Sequence, residues 1–539
     1  MAVFVMQTRL FRHACRLVTL VAILSWVEVV AQTPPRNILF VLIDDVGVDA
    51  LSVFNTNTAG ASFAATPNMD ALANQGVKFR NCYGYPSCSP TRSCLLTGRY
   101  GFRTGIGAAI DEPHDPYLSP RDFTIARALA ANPQLGFRYA HVGKWHLSTD
   151  AIDPNFIGGW SHYSGFLAGE LSSYTDWEKT VNGVTTSHHT NYCTSDNATD
   201  AINWITAQGT NRWFLWFAPK AAHAPLHLPP TNLHSYGSLS TNTAVITSNP
   251  GPYYRAMIEA FDTEMGRVLT NLNLAETMVV FLGDNGTPGA TIQSPYTSQQ
   301  CKGTLTEGGV RLPMFITGAG VVGINRWTDA VIHAVDIPVT LLEMAGVNLA
   351  NTMPTNMVFD GRSFAALVRN EPWNPSENVI LMENFGSVIP PGLRGVAARG
   401  QRYKVIQLEI GLQGFYDLQT DPYEHTNLFG FPNNISNLSG PQLAAYVGLT
   451  NRMAAWHNPP TPPTITNTIA ASNTLKVSVP EQLGIAYSLQ RSPNVNVPNW
   501  SEVTNYVRQV HTNEASVSLT DPTPAPAARA LYRVKAAGR

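Results

Sequence analysis

The sequence predicts an α/β fold with a mostly parallel central sheet flanked by helices, followed by a smaller α+β C-terminal subdomain and a terminal β-sandwich module. Three observations lead there. Short unbroken apolar runs of strand length, the pattern of strands buried on both faces, recur through the first three hundred residues. Segments with apolar residues at helical spacing alternate with them, as in successive βαβ units. The runs end in polar clusters, and in open α/β sheets ligands gather at the carboxyl ends of the strands.

Asn37–Ile43 is the first run, and it stops abruptly at Asp44-Asp45. Thr66-Pro67 opens a helix with Met69, Leu72 and Ala73 at helical spacing and Gly76 as its stop, and residues 77–83 form the next strand. A helix over 124–131 precedes a strand at 137–142, and residues 213–217 and 277–282 repeat the short apolar run. After about residue 370 the texture changes: strand-like pieces at 378–382 and Tyr403–Leu408 and a polar stretch at 416–422 indicate an α+β subdomain over 371–458. Pro-Pro-Thr-Pro-Pro at 459–463 reads as a semi-rigid linker. Beyond it, short runs at 475–479, 487–490, 516–519 and 531–534, broken by Pro, Asn and Asp, suit a small β-sandwich over 464–539.

A length of 539 residues allows three to four structural units by the rule of roughly 150 residues each. Lys plus Arg is 35 against 37 Asp plus Glu, with charged residues at only 13%, so the chain lacks the basic excess of a nucleic-acid binder. Recognition of a charged substrate then falls to a few placed groups. Residues 1–31 read as a signal peptide: Arg9, Arg12 and Arg16 precede an apolar run over 17–27, and Val29, Val30 and Ala31 offer a small-residue exit. That run is short of the roughly 20 residues a spanning helix needs, as is every later one, so an exported chain is expected, periplasmic, extracellular or on the cell surface, with no membrane span. Five cysteines follow Ala31, an odd number in a compartment that permits disulfides, so at least one is unpaired or chemically altered.

Four run ends carry chemistry: Asp44-Asp45, Lys144-Trp145-His146, His223 a few residues past its strand, and Gly283-Asp284-Asn285. Their convergence on one rim predicts a single active site. Cys88 falls at the start of a helix with Pro90 in its first turn, where free backbone donors favour anions and push a thiol toward thiolate. A zinc site built from Cys82, Cys88 and Cys94 is disfavoured by its spacing, while disulfides among the other cysteines stay open.

Cys88-Ser89-Pro90-Thr91-Arg92, with Leu95-Leu96-Thr97-Gly98-Arg99 behind it, resembles the sulfatase signature. Thr66-Pro67-Asn68, Gly143-Lys144-Trp145-His146, His223-Ala224-Pro225, Asp284-Asn285-Gly286, Lys302, Glu307-Gly308-Gly309 and the 416–428 stretch agree in order, extending the likeness over about 36–430. One departure is Ala222, where relatives commonly carry proline before the histidine. The resemblance implies an alkaline-phosphatase-like sulfatase that hydrolyses sulfate monoesters, with Cys88 oxidised to formylglycine by a formylglycine-generating enzyme. It implies one calcium ion, with magnesium second, held by Asp44, Asp45, residue 88, Asp284 and Asn285; their oxygens suit a hard cation, although Asp and Asn also cap and turn chains. By the same resemblance Lys144 and Lys302 bind sulfate oxygens, Arg92 holds the hydrated aldehyde, His146 is the base that expels sulfate, and His223 shares protonation of the leaving oxygen with Lys302. The substrate is expected to be a sulfated small molecule or polysaccharide. Two rival readings stand beside this one: a phosphodiester or phosphonate monoester hydrolase of the same superfamily, and a non-catalytic secreted binding protein served by the terminal module.

Overall fold

Seven residues from Asn37 to Ile43 are buried end to end in the computed structural model. The structure describes residues 34–456 apart from 56–58, 112–114, 149–151, 355–356, 374–378 and 387, together with strand segments between 467 and 538. The expected signal peptide and the 459–463 linker lie outside the described residues.

The main sheet comprises β1 (Asn37–Ile43), β2 (Gly76–Tyr83), β3 (Phe137–Lys144), β4 (His162–Phe166), β5 (Trp177–Val181), β6 (Val184–His189), β7 (Arg212–Ala218), β8 (Thr277–Gly283), β9 (Arg311–Gly318) and β10 (Arg326–His333), in the order β10-β2-β9-β8-β1-β7-β3-β4-β5-β6. Its centre, β8-β1-β7-β3-β4, is parallel, with Phe40 opposite Trp216 and Val41 opposite both Phe217 and Phe281. The principal helices are α1 (Pro67–Asn74), α2 (Cys88–Thr97), α3 (Ile125–Ala130), α4 (Cys193–Gln208), α5 (Pro250–Leu269), α6 (Asp336–Met344) and α7 (Gly440–Trp456).

Period-two side-chain alternation explains why both faces are apolar. Ile38, Phe40 and Leu42 join Phe214 and Trp216 in one core beneath Leu95, Ile125, Leu129 and Leu341 of α2, α3 and α6. Leu39, Val41 and Ile43 join Leu215 and Phe217 in the other, beneath Leu72, Ala201 and Phe261 of α1, α4 and α5. The Thr66-Pro67-Asn68 motif builds this second layer: the Asp262 carboxylate accepts the Asn68 and Met69 backbone N–H groups at 3.1 and 2.8 Å, satisfying donors at the start of α1.

The sheet is more mixed than the apolar runs suggested. β9 runs antiparallel to both β2 and β8, and β5 and β6 form an antiparallel edge hairpin. Pro313 interrupts the strand pattern of β9; the register with β2 shifts there, Met314 facing Phe79 and Leu312 facing Cys82, which accommodates a residue without an N–H.

Past the main sheet, β11 (Ile380–Asn384), β12 (Gly395–Arg399), β13 (Tyr403–Leu408) and β14 (Gln413–Asp417) form a separate antiparallel sheet in chain order. Leu449 and Met453 of α7 pack with Ala398, Val405 and Phe415 of that sheet in the same core as the first face of the main sheet. A buried polar knot joins the two sheets: Lys404 Nζ lies 3.0 Å from Glu307 Oε1 and 2.9 Å from Glu424 Oε1, and the Tyr83 hydroxyl donates to Glu307 Oε2 at 2.9 Å. The terminal segments β15 (Asn467–Ala471), β16 (Thr474–Pro480), β17 (Ile485–Ser492), β18 (Ser501–Glu502), β19 (Val507–Gln509), β20 (Ser516–Asp521) and β21 (Leu531–Gly538) pair as a four-stranded sheet, β15-β16-β20-β19, and a three-stranded one, β18-β17-β21. All five described cysteines are buried free thiols; Cys82 and Cys94 lie in the first core and Cys193 in the second.

Candidate active site

Strands β1, β3, β7 and β8 deliver their carboxyl ends to one place, and short hydrogen bonds lock those ends together. The Asp45 N–H donates to Asp284 Oδ1 at 3.1 Å, and Asn285 Nδ2 donates to Asp45 Oδ1 at 2.8 Å. Gly47 N–H donates to Thr287 Oγ1, whose hydroxyl donates to Asp49 Oδ1 at 2.7 Å, and the Lys302 N–H reaches the Thr287 carbonyl at 3.0 Å. The β1 and β7 ends exchange backbone bonds between Asp44 and Ala221-Ala222, which carries the His223 loop to the same rim. Asp45 and His146 both adopt left-handed backbone conformations, φ 62° and 56°, a cost that side-chain-bearing residues accept mainly at functional sites.

All ten residues expected from sequence meet here. Cys88, at the start of α2, places Sγ 3.6 Å from Asp44 Oδ1 and 3.6 Å from Lys302 Nζ. Lys144 Nζ lies 2.6 Å from Asp44 Oδ2, and Lys302 Nζ 2.5 Å from Asp45 Oδ1. Arg92, one turn beyond Cys88, forks onto Asp284 Oδ2 through Nε and an Nη at 3.1 and 2.9 Å and donates to the Lys144 carbonyl at 3.1 Å. His223 Nε2 stands 3.7 Å from Asp45 Oδ2. His146 is buried with neither ring nitrogen hydrogen-bonded among the described residues; the carboxylate of Asp111 lies 4.0 Å from its Nε2.

Electrostatics follow from this crowding. Burial alone would raise the Asp44 carboxyl, but Lys144, His223, Arg92 and Lys302 outweigh it and hold it well below the usual carboxylate range. Asp284 goes the other way, pushed up to about 6 by burial and by the Asp44 charge despite Arg92. Burial keeps His146 and His223 neutral, the latter lowered to about 4. One expectation is overturned. The thiol of Cys88 is not pushed toward thiolate by its helix start: burial, with Asp284 and Asp44 close by, drives it up to about 12 against the pull of Lys144 and Lys302.

A cation fits this place. One ligand atom each from Asp44, Asp45, Cys88 and His223 lies within 4.8 Å of the others, and the buried Asn285 Oδ1 has no hydrogen-bond partner among the described residues. Two carboxylates, Asp284 behind them and an unsatisfied amide oxygen form a hard, oxygen-rich donor set, the preference of calcium or magnesium.

Sequence reasoning missed two neighbours. Asp111 had no motif around it. Lys220, buried with its Nζ 3.1 Å from His223 Nδ1, had only its place three residues before that histidine as a signal. A cavity of about 410 Å³ adjoins the β4 end, lined by Phe166, Leu167, Glu170, Trp177, Thr185 and His188 among others.

Residues 36–347, more than half of the chain, match the family model described as Sulfatase, and residues 301–439 match one described as N-sulphoglucosamine sulphohydrolase, C-terminal. Match and mixed-sheet fold together define a hydrolase of the alkaline-phosphatase-like superfamily. Within it, the chain belongs to the sulfatase family and is a sulfuric ester hydrolase. It is similar to a sulfatase of Formosa agariphila, 27% identical over 83% of this chain and 92% of that protein. It is 29% identical to N-acetylgalactosamine-6-sulfatase of Homo sapiens over 61% of this chain and 64% of that one. Among solved structures, Ps i-CgsB in complex with k-i-k-neocarrahexaose shares the fold, with a TM-score of 0.65 and 22% identity over 79% of this chain and 93% of its own.

Proposed function

We propose that the protein is an exported sulfatase that removes sulfate from saccharide esters, with Cys88 oxidised to formylglycine by a formylglycine-generating enzyme and one calcium ion bound at Asp44, Asp45, residue 88, Asp284 and Asn285. The observation that carries this reading is the seat of Cys88 between Asp44 Oδ1 and Lys302 Nζ, 3.6 Å from each, inside the carboxylate cluster. Oxidation there would supply a hydrated aldehyde, whose one hydroxyl attacks sulfur and whose second, once deprotonated, expels sulfate. Calcium would supply positive charge to polarise the sulfate group.

The chain's own residues do the rest. Lys144 and Lys302 are ammonium donors paired with Asp44 and Asp45 in the cluster around residue 88, positioned to neutralise sulfate oxygens as charge develops on them. Arg92 aligns Asp284 and holds the residue 88 helix against the Lys144 carbonyl. His146, neutral and without a hydrogen bond to either ring nitrogen among the described residues, is suited to take a proton as general base. His223, with Nε2 3.7 Å from Asp45 Oδ2, serves the leaving oxygen. The saccharide preference draws on the 410 Å³ cavity at the β4 end: Glu170, Asp176, Ser187 and His188 offer hydroxyl partners around Trp177, a lining suited to a hydroxylated ring. Relatives named N-acetylgalactosamine-6-sulfatase and a structure in complex with k-i-k-neocarrahexaose support the same class.

Mass spectrometry of the peptide containing residue 88, from protein made alongside the modifying enzyme, tests this reading together with sulfate release. An aldehyde mass at residue 88 and sulfate release that stops in Cys88→Ala and after chelation are expected. An unmodified thiol in a fully active preparation would sink it. Assaying aryl phosphate diesters in parallel separates the superfamily alternative. Cleavage after Ala31, read by N-terminal sequencing of secreted protein, tests export. No helix of the described residues is long and apolar enough to cross a membrane.

A further inference from the structure

Lys220 is fully buried, and among the described residues no carboxylate forms an ion pair with it, an expensive placement for an ammonium group. Its Nζ has three neighbours: His223 Nδ1 at 3.1 Å, the Gly169 carbonyl at 3.4 Å and the face of Phe166, 5.8 Å from the ring centre. The segment between lysine and histidine is held firmly. The Tyr174 hydroxyl lies 3.2 Å from the Lys220 carbonyl and donates to the His223 carbonyl at 2.6 Å, and the His223 N–H returns to the Lys220 carbonyl at 2.9 Å.

An ammonium has three donors and no lone pair, so its contact with Nδ1 requires that nitrogen to be the acceptor and places the imidazole proton on Nε2. Nε2 is the nitrogen that faces Asp45 and the cluster around residue 88. A second contact competes for Nδ1: the Ala224 carbonyl, 2.9 Å away, would accept from an Nδ1–H. The two contacts describe two proton positions of one ring.

We propose that Lys220 is the positioning residue that makes His223 the acid for the leaving alcohol. It holds the proton on Nε2 before reaction and resupplies Nδ1 as Nε2 gives its proton up. As the bond from sulfur to the bridging oxygen breaks, its electron pair goes to that oxygen, which takes the Nε2 proton. Lys220 passes one proton to Nδ1 and becomes a neutral amine; the ring stays neutral and its new Nδ1–H turns to the Ala224 carbonyl. Without the lysine, a neutral imidazole giving up its only N–H proton would become an imidazolate.

This inference rests on the sulfatase reading and on His223 serving the leaving oxygen, and the test separates the two. Lys220→Met fills the volume without charge. It is compared with wild type on 4-nitrophenyl sulfate, whose phenolate leaves readily, and on phenyl sulfate, which needs more help. The ratio of the two kcat values is expected to widen by at least about 10-fold in Lys220→Met, with KM changing much less, and Lys220→Met should add nothing to the ratio in a His223→Ala background. An equal loss on both esters, or a widened ratio that persists without His223, would overturn the role of Lys220. If wild-type protein carrying the oxidised residue 88 released sulfate from neither of these esters nor from a sulfated saccharide, the sulfatase reading itself would fall and take this inference with it.

Discussion

Gly169 lacks a side chain where His146 needs the space: a Cβ built there would lie 2.3 Å from His146 Nε2. The imidazole is otherwise placed by its backbone, which holds a left-handed conformation and donates from its N–H to the Leu167 carbonyl at 3.0 Å. Gly169→Ala should therefore push the ring aside rather than unfold the chain. Displacing a reacting group by about 1 Å can cost roughly 10²-fold. Turnover of an aryl sulfate is expected to fall by about that factor with the melting temperature little changed; full activity would show that His146 is not the base. At this scale the sequence was informative where residue type and motif coincided. Asp44, Asp45, Asp284 and Asn285 announced an oxygen-rich site because two such pairs close two separate apolar runs. Lys220 did not stand out, since an isolated lysine is nearly always a solvated one and only the structure shows it buried. The Cys88 thiol misled, because helix-start chemistry was visible in the sequence and the burial that reverses it was not.

Elements carry a different dependence on solution conditions. Lys404 on β13 faces two buried carboxylates, Glu307 from the segment leading into β9 and Glu424 from beyond β14, and the Glu307 N–H donates to Glu424 Oε2 at 2.6 Å. One lysine cannot neutralise both acids. Glu307 is held below its usual range because Lys404, with Arg399 and Arg311, outweighs burial; Glu424 is pushed up to about 7 by burial and by Glu307. A carboxyl raised from 4.5 to about 7 on folding binds its proton more tightly in the folded chain. Its contribution is fully present below about pH 4.5 and is lost as pH rises through about 7. Glu424→Gln should therefore flatten the stability profile between pH 5 and 8 by about 1–3 kcal/mol, read from urea unfolding at the two pH values. An unchanged profile would mean that Lys404 already satisfies both acids. Strands such as β1 and β13 were readable to the residue because each is a clean run bounded by turn or acidic residues. β9 was not, because Pro313 sits inside it, and the β5–β6 hairpin was not, because every residue of β6 is partly or fully exposed and no apolar pattern marks it.

Across the whole molecule, every group assigned to the site comes from residues 44–302, and the core that supports it is closed by Leu449, Met453 and Trp456 of α7. Among the described residues, the strands from 467 onward pair only with one another, in two sheets of their own. Net charge is -2, with 35 basic and 37 acidic residues, so the chain as a whole generates little long-range pull on an anionic ester. A small soluble sulfate should then reach the site by ordinary diffusion whether or not the terminal strands are present. Deleting residues 464–539 is expected to leave kcat/KM on 4-nitrophenyl sulfate within about twofold of the full chain, because a self-contained core tolerates loss of a module that shares none of its strands. Comparing that ratio with one measured on an insoluble sulfated polysaccharide locates any contribution of the module to polymer capture: a loss confined to the polymer assigns it to binding. A collapse on the small ester would place the end of the catalytic unit beyond residue 463 and make the terminal sheets part of its support.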